Sequence, residues 1–355
     1  SVLLEMELFM SLNFACDYMQ GCLPSIMDRF VATNMEGTVG YGQDQYSLSA
    51  KEKIKEACGC ENGEVEFLVG GTQANQTVIK ALLRNYQGVI ACESGHVAVH
   101  EAGAIETTGH KVITIPGKLG KLEASSVASY METFFGDETY PHMVQPGMIY
   151  ISQPTEYGTL YSKKELEALQ KVCDTYHLYL YVDGARLAYA LGSSDNDVSL
   201  KDLAKYTDAF YIGGTKCGTL FGEAVVIPDQ NLIPCFFTTI KQGGALLAKG
   251  RMTGIQFDEM FTKDLYLKAG RKAVEFSKKI TDAFAEHGYE VYMPTYTNQL
   301  FINFEDTVLK KFQEKVSTSF WAKTDDTHTL IRLATSWATT EEEVDELIAW
   351  MKECK

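Results

Sequence analysis

From residue 77 onward the chain alternates two kinds of apolar pattern. Helix-period stripes run from Thr77 to Tyr86, carrying Val78, Ile79, Leu82, Leu83 and Tyr86, and from Lys163 to Tyr176, carrying Leu166, Leu169, Val172 and Cys173. Between and after them come short unbroken apolar runs: GVIAC from Gly88, KVITI from Lys111, MIYIS from Met148, LYLYVD from Leu178 and AFYIGG from Ala209. Strands buried on both faces have this composition. The alternation predicts an α/β fold, a mostly parallel sheet of at least these five strands with helices on both faces.

After about residue 250 the pattern changes. A long helix is expected from Asp264 to His287, with Gly288 as its C-cap, then strand-like segments and a terminal helix. That last helix opens with Thr340 and Glu343 in capping-box spacing and carries Val344, Leu347, Ile348 and Met351 on one face. The expected organisation is an N-terminal segment (1–45), a large α/β domain (46–255) and a smaller C-terminal α+β domain (256–355). The first ten residues are apolar, carry two glutamates and lack a basic region, which suits a buried arm better than a signal peptide or a spanning helix.

Composition narrows the partners. A formal charge of -15 repels polyanions, and no basic run provides a nucleic-acid stripe. Nine cysteines, an odd number without scaffold spacing, read as reduced thiols of a cytoplasmic protein. Cys58-Gly59-Cys60 is the one close pair, and its spacing does not suit zinc, so no metal is expected.

Three motifs carry candidate chemistry. VDGAR puts Asp183 directly after an apolar strand, where open α/β sheets bind ligands; a helix-capping aspartate accounts equally well for Asp183 alone. IGGTKCG puts Lys216 after another strand, where desolvation makes its amine nucleophilic, although a lone lysine there could simply snorkel to solvent. VGGTQAN runs from a strand through Gly70 and Gly71 into a helix expected near Gln76, presenting backbone N–H groups and the Thr72 hydroxyl to an anion. Adjacent glycines do not fit a dinucleotide fingerprint, so a single phosphate is the better match. A phosphate cradle, a carboxylate for a pyridinium nitrogen and a lysine for an aldehyde are the three attachments of pyridoxal 5'-phosphate (PLP).

The chain also resembles the threonine aldolase and aromatic amino acid β-eliminating lyase family, especially its low-specificity L-threonine aldolases. The likeness runs through FACDY (from Phe14), YGQDQY (Tyr41), GGTQAN, GHVAVHEAGA (Gly95), YVDGARL, GGTKCG, LLAKGR (Leu246) and IRLATSW (Ile331). It implies the PLP-dependent aminotransferase-like fold (fold type I), with Lys216 bonded to the cofactor, Asp183 on its ring nitrogen and His96 stacked on the ring. Gly71, Thr72, Gln73 and Thr215 would contact the cofactor on its phosphate side. Arg186 would sit between the ring oxygen and the substrate carboxylate, and Arg332 would grip that carboxylate. Lys249 falls where the family brings a basic residue across a subunit interface, which implies a homodimer or homotetramer with shared sites. Two positions depart from the family: Cys16 stands where a serine is usual near the substrate carboxylate, and Glu156 replaces the histidine of a Thr-His pair.

The function so implied is aldol cleavage: a β-hydroxy amino acid such as L-threonine or L-allo-threonine splits at Cα–Cβ into glycine and an aldehyde. Lys216, His96 and Glu156 are the catalytic candidates, Glu156 as base for the β-hydroxyl. One alternative is β-elimination on the same scaffold, giving pyruvate and ammonia; another is a PLP-binding protein without turnover.

Overall fold

A computed structural model describes residues 12–355, so the buried arm expected over residues 1–10 lies outside the described residues. In chain order the strands are β1 (Leu12–Asn13), β2 (Glu64–Leu68), β3 (Gln87–Cys92), β4 (Val112–Ile115), β5 (Gln145–Ser152), β6 (Tyr179–Asp183), β7 (Ala209–Gly213), β8 (Glu223–Ile227), β9 (Glu290–Val291), β10 (Gln299–Glu305), β11 (Val316–Ser317), β12 (Ser319–Lys323) and β13 (His328–Ala334). Seven of them form the central sheet in the order β2-β8-β7-β6-β5-β3-β4. The five apolar runs are its parallel part, β3 to β7. β8 and β2, which the apolar runs did not include, extend one edge antiparallel.

Side chains on a strand alternate between faces, and here the alternation sorts the core into two layers. Ile149, Ile151, Leu180, Val182, Phe210 and Ile212 face one buried cluster. Met148, Tyr150, Tyr181, Ala209 and Tyr211 face the other, against the helix Gly71–Leu82. That helix corrects the reading of Thr77–Tyr86. It starts at Gly71 with Gly70 as N-cap and ends at Leu82. Glycine costs little at a helix N-terminus, where the first N–H groups have no intrahelical partner in any case. The helix Lys163–Tyr176 has the expected bounds and is closed by a capping box between Ser162 and Glu165.

The C-terminal portion is a four-stranded antiparallel sheet, β12-β13-β10-β9, under the helices Leu265–Glu286 and Glu341–Cys354. The expected capping box of Thr340 and Glu343 is present, and Val344, Leu347 and Met351 are buried in this unit's core. A boundary at residue 255 would cut the helix Arg251–Met260, seven of whose ten residues are buried, so we propose the turn around Thr262 as the natural break. The long helix Leu265–Glu286 serves both units: Tyr266, Ala273 and Val274 pack into the large core, Ile280 and Phe284 into the small one. At the N-terminus β1 pairs with β11, and Ala334 N–H donates to Phe14 O at 2.8 Å, which leads the chain past the small sheet to Cys16 and Asp17. Among the described residues no helix is long and apolar enough to cross a membrane.

The long helix meets the helix Leu187–Gly192, which follows VDGAR, at a glycine contact. A Cβ on Gly270 would lie 1.9 Å from Ala188 O, and one on Gly192 2.5 Å from Arg271 N. These are backbone collisions that no rotamer change relieves. Gly270→Ala is expected to force the helices apart and destabilise the protein by about 1–3 kcal/mol. Urea denaturation of the variant checks this; an unchanged midpoint would show that the contact tolerates a methyl group.

Candidate active site

β6 ends in Asp183, and the period of two puts it on the same face as Tyr181, Tyr150 and Tyr211. In the β5–β6 register Tyr150 lies beside Tyr181 and Ser152 beside Asp183. Four donors converge on the buried carboxylate. Tyr150 Oη donates at 2.7 Å and Asn75 Nδ2 at 3.1 Å to one oxygen; Tyr211 Oη and, at 3.0 Å, Ala185 N–H donate to the other. Burial works to raise its pKa, but the nearby His96 and the two tyrosine hydroxyls prevail and hold it below the usual carboxylate value. Asp183 is therefore an anion held by neutral donors, which suits a protonated ring nitrogen as counter-charge.

Lys216 lies in the loop after β7 and lines the same cavity as Asp183, His96, Glu156, Arg186, Thr215 and Glu223. Burial, reinforced by the Arg186 charge, pushes its ammonium below the ordinary lysine value. Val69, Gly70, Gly71 and Thr72 form another wall, at the N-terminus of the helix Gly71–Leu82. A Cβ on Gly70 would meet nothing within 4 Å, so the glycine leaves open space, whereas one on Gly71 would lie 2.7 Å from Tyr211 Oη. The glycine pair thus clears room at the helix terminus and lets Tyr211 reach Asp183. These features fit a PLP cofactor: a glycine-lined helix terminus, a fixed anion and a desolvated amine share one cavity.

His96 Nδ1 stands 2.7 Å from Glu101 Oε1, and Glu101 Oε1 also accepts from Asn75 Nδ2 at 2.7 Å. Glu101 Oε2 is buried with no hydrogen-bond partner. Glu156 Oε1 accepts from His96 N–H at 3.0 Å and from Ser152 Oγ at 2.8 Å; burial raises its pKa above the usual glutamate value.

Several expected residues are engaged differently from the family-based picture. Arg186 makes a two-pronged pair with buried Asp17, Nε at 2.6 Å and Nη2 at 3.0 Å, which fixes a guanidinium that lines both this cavity and the adjoining one. Burial opposes ionisation of Asp17, but Arg186 and Lys216 bring its pKa down to about 2. Gln73 turns back to accept from Val69 N–H at 2.9 Å and closes its own turn. The Thr215 hydroxyl lies within hydrogen-bond distance of Glu223 Oε1, at 2.7 Å. Lys249 is exposed in a turn and lines neither site cavity within this chain.

Arg332, on β13, lines an adjoining cavity with Tyr18, His96, His100, Glu156, Arg186, Lys216 and Trp321. Its Nη atoms reach Gln299 Oε1 at 3.1 Å and Ala15 O at 3.1 Å, while its buried Nε has no partner. Half-buried Cys16 follows Ala15 in this strap. Sequence reading passed over Asp17, Asn75, Glu101, Tyr150, Tyr211 and Glu223. Asn75 and Glu101 lie inside quoted motifs, and Asp17 next to Cys16; the strand tyrosines looked like ordinary core.

A beta-eliminating lyase family model matches residues 13–307. The solved structure of Leishmania major threonine aldolase is 38% identical and superposes with a TM-score of 0.92, covering 96% of this chain and 98% of that one. The low-specificity L-threonine aldolase of a Pseudomonas species is 29% identical over 350 residues, 96% of each chain. Thermus thermophilus aspartate aminotransferase shares the fold alone, at 15% identity and a TM-score of 0.69 over 100% of this chain and 94% of its own. The fold is therefore the aminotransferase-like, type I architecture, and the match over residues 13–307 makes the chain a member of the beta-eliminating lyase family.

Proposed function

We propose that this chain is a PLP-dependent lyase that splits β-hydroxy amino acids between Cα and Cβ, with L-threonine or L-allo-threonine giving glycine and acetaldehyde. One observation carries the reading: Lys216, Asp183 and the glycine-lined helix terminus share a cavity at the carboxyl ends of the parallel strands. Bound PLP supplies the electron sink for the pair released from the Cα–Cβ bond. Asp183 holds the proton on the ring nitrogen, and its four neutral donors keep it charged without cancelling that charge. Lys216, desolvated and less basic than an ordinary lysine, is the amine that bonds the cofactor aldehyde. His96, held by Glu101, would stack on the cofactor ring.

Arg332 binds the substrate carboxylate: its guanidinium lines the outer cavity and its Nε still lacks an acceptor. Arg186, locked by Asp17, acts as fixed positive charge beside Lys216 rather than as a second clamp. Glu156 takes the β-hydroxyl proton, directly or through a water. Its raised pKa makes it a better base than an ordinary carboxylate. Thr215 belongs to the cofactor's phosphate side, Cys16 and Gln73 stand at the edges of this scheme, and Lys249 acts on a second subunit of a homodimer or homotetramer. A cytoplasmic location belongs to the same reading.

Lys216→Ala should abolish turnover and covalent attachment. Borohydride reduction followed by peptide mapping tests it; reduced cofactor on another lysine would remove Lys216 from its role. Arg332→Ala should weaken substrate binding by about 2–5 kcal/mol, since the site then loses a buried charge partner, with cofactor binding retained. A normal KM for threonine would exclude Arg332 from the substrate site. Glu156→Gln keeps the shape of the side chain and removes its basicity, so aldol cleavage should collapse while the cofactor spectrum persists. In the parent protein the rate should fall as pH drops through the raised Glu156 pKa, because only the ionised form is a base. A Gln variant that cleaves at the parent rate across pH would move the role to His100 or to a bound water.

A further inference from the structure

Glu223 is an acid in an awkward place. It begins β8, is 3% exposed, and lines the cavity that Gly70, Gly71, Thr72 and Thr215 also line. A phosphate group and a carboxylate repel each other when both are ionised. The proposed function seats a phosphate there, so the contacts of Glu223 must resolve the conflict.

They do so through Thr215. Glu223 Oε2 accepts from Gly214 N–H at 3.0 Å, and Oε1 lies 2.7 Å from Thr215 Oγ1. Thr215 Oγ1 also accepts from Gly222 N–H at 3.1 Å. A hydroxyl has one proton to give and two lone pairs. An ionised carboxylate can only accept, so it claims the Thr215 proton and leaves the hydroxyl with nothing to donate. A neutral carboxyl behaves oppositely. Gly214 N–H keeps Oε2 as the accepting oxygen, the proton sits on Oε1 and points to the free lone pair of Thr215, and the threonine proton turns toward the cavity.

We propose that neutral Glu223 orients the Thr215 hydroxyl to donate to the cofactor phosphate, so that loss of the Glu223 proton and loss of phosphate affinity are one event. This rests on the reading of the cavity as a PLP site. Burial pushes the Glu223 carboxyl up to about 8, against the opposing pull of Thr215 and Lys216. The other charged or titratable groups that sense it are Lys216, Asp183, Tyr181, Tyr211, Tyr266 and Cys217. The three phenols and the thiol are held above their ordinary values and stay neutral across this range; Lys216, His96, Glu156 and Arg186 line the same cavity, so the parent is read against Glu223→Gln, which leaves all of them in place. The sign follows: binding selects the protonated acid, so affinity is full below the Glu223 pKa and is lost as pH rises through it.

Pyridoxamine 5'-phosphate is the suitable probe, because it lacks the aldehyde and reports the phosphate contacts without a bond to Lys216. Its affinity for the cofactor-free protein, measured by equilibrium dialysis between pH 6.5 and 9.5 on the scale of ordinary carboxyl and lysine titrations, should fall by up to about tenfold per unit above about pH 8. Glu223→Gln, whose amide can donate to Thr215 and accept from Gly214 but cannot ionise, should bind without that fall. Thr215→Val should bind about tenfold or more weakly at neutral pH, having lost a hydrogen bond to a charged group, and should keep only the smaller step that direct carboxylate–phosphate repulsion leaves. Pyridoxamine without its phosphate should lack it in every protein. Parallel curves for the parent and Glu223→Gln, or a step in Thr215→Val as large as the parent's, overturn the inference and leave the PLP reading intact. Failure of the parent to bind the probe at any pH overturns both.

Discussion

A carboxylate removed from water must be given donors, and most of the site geometry follows from supplying them to Asp183. The donors come from four segments: Tyr150 from β5, Tyr211 from β7, Asn75 from the helix Gly71–Leu82, and Ala185 from the turn after Asp183 itself. The glycines around them answer the same demand. Gly71 lets the Tyr211 hydroxyl pass, and a Cβ on Gly184 would sit 1.9 Å from Tyr211 O. Because no arginine or lysine contacts Asp183 among the described residues, its charge remains available to a cationic ligand.

Positive charge is arranged on the opposite principle. Arg186 is paired as tightly as geometry allows, with Asp17 taking both prongs and Asn298 Nδ2 supporting Asp17 at 2.9 Å. Arg332 is held by weaker, neutral acceptors and keeps an unsatisfied nitrogen. Two arginines that look alike in sequence thus differ in what they touch. Both line the adjoining cavity, Arg186 as a charge fixed by Asp17 that acts on Lys216, Arg332 with neutral partners and a nitrogen that lacks an acceptor.

The carboxylates divide in the same way. Asp17 and Asp183 are stabilised as anions, while burial pushes Glu156 and Glu223 toward the neutral form. Burial thus sets the four carboxyl groups apart: charge is fixed on the two aspartates, and protons are held more readily by the two glutamates than by ordinary carboxylates.

The sequence by itself determined the layered α/β fold, because buried parallel strands and amphipathic helices write different periods into the chain. Asp183 and Lys216 were legible as candidates too, since each follows an apolar run that has to end at the sheet's carboxyl edge, and the glycine turn stood out by its own residues. β8, as long as β6 and β7, escaped notice because it follows a glycine-rich loop and opens on a charged residue, and that residue is Glu223. Only the tertiary structure decided the partners. Asp17 meets Arg186 across 169 positions of chain, and Asn75 meets Asp183 across 108. No local pattern encodes such pairs: periodicity says which face a residue occupies, while the register of the sheet and the path of the N-terminal strap decide what stands opposite it.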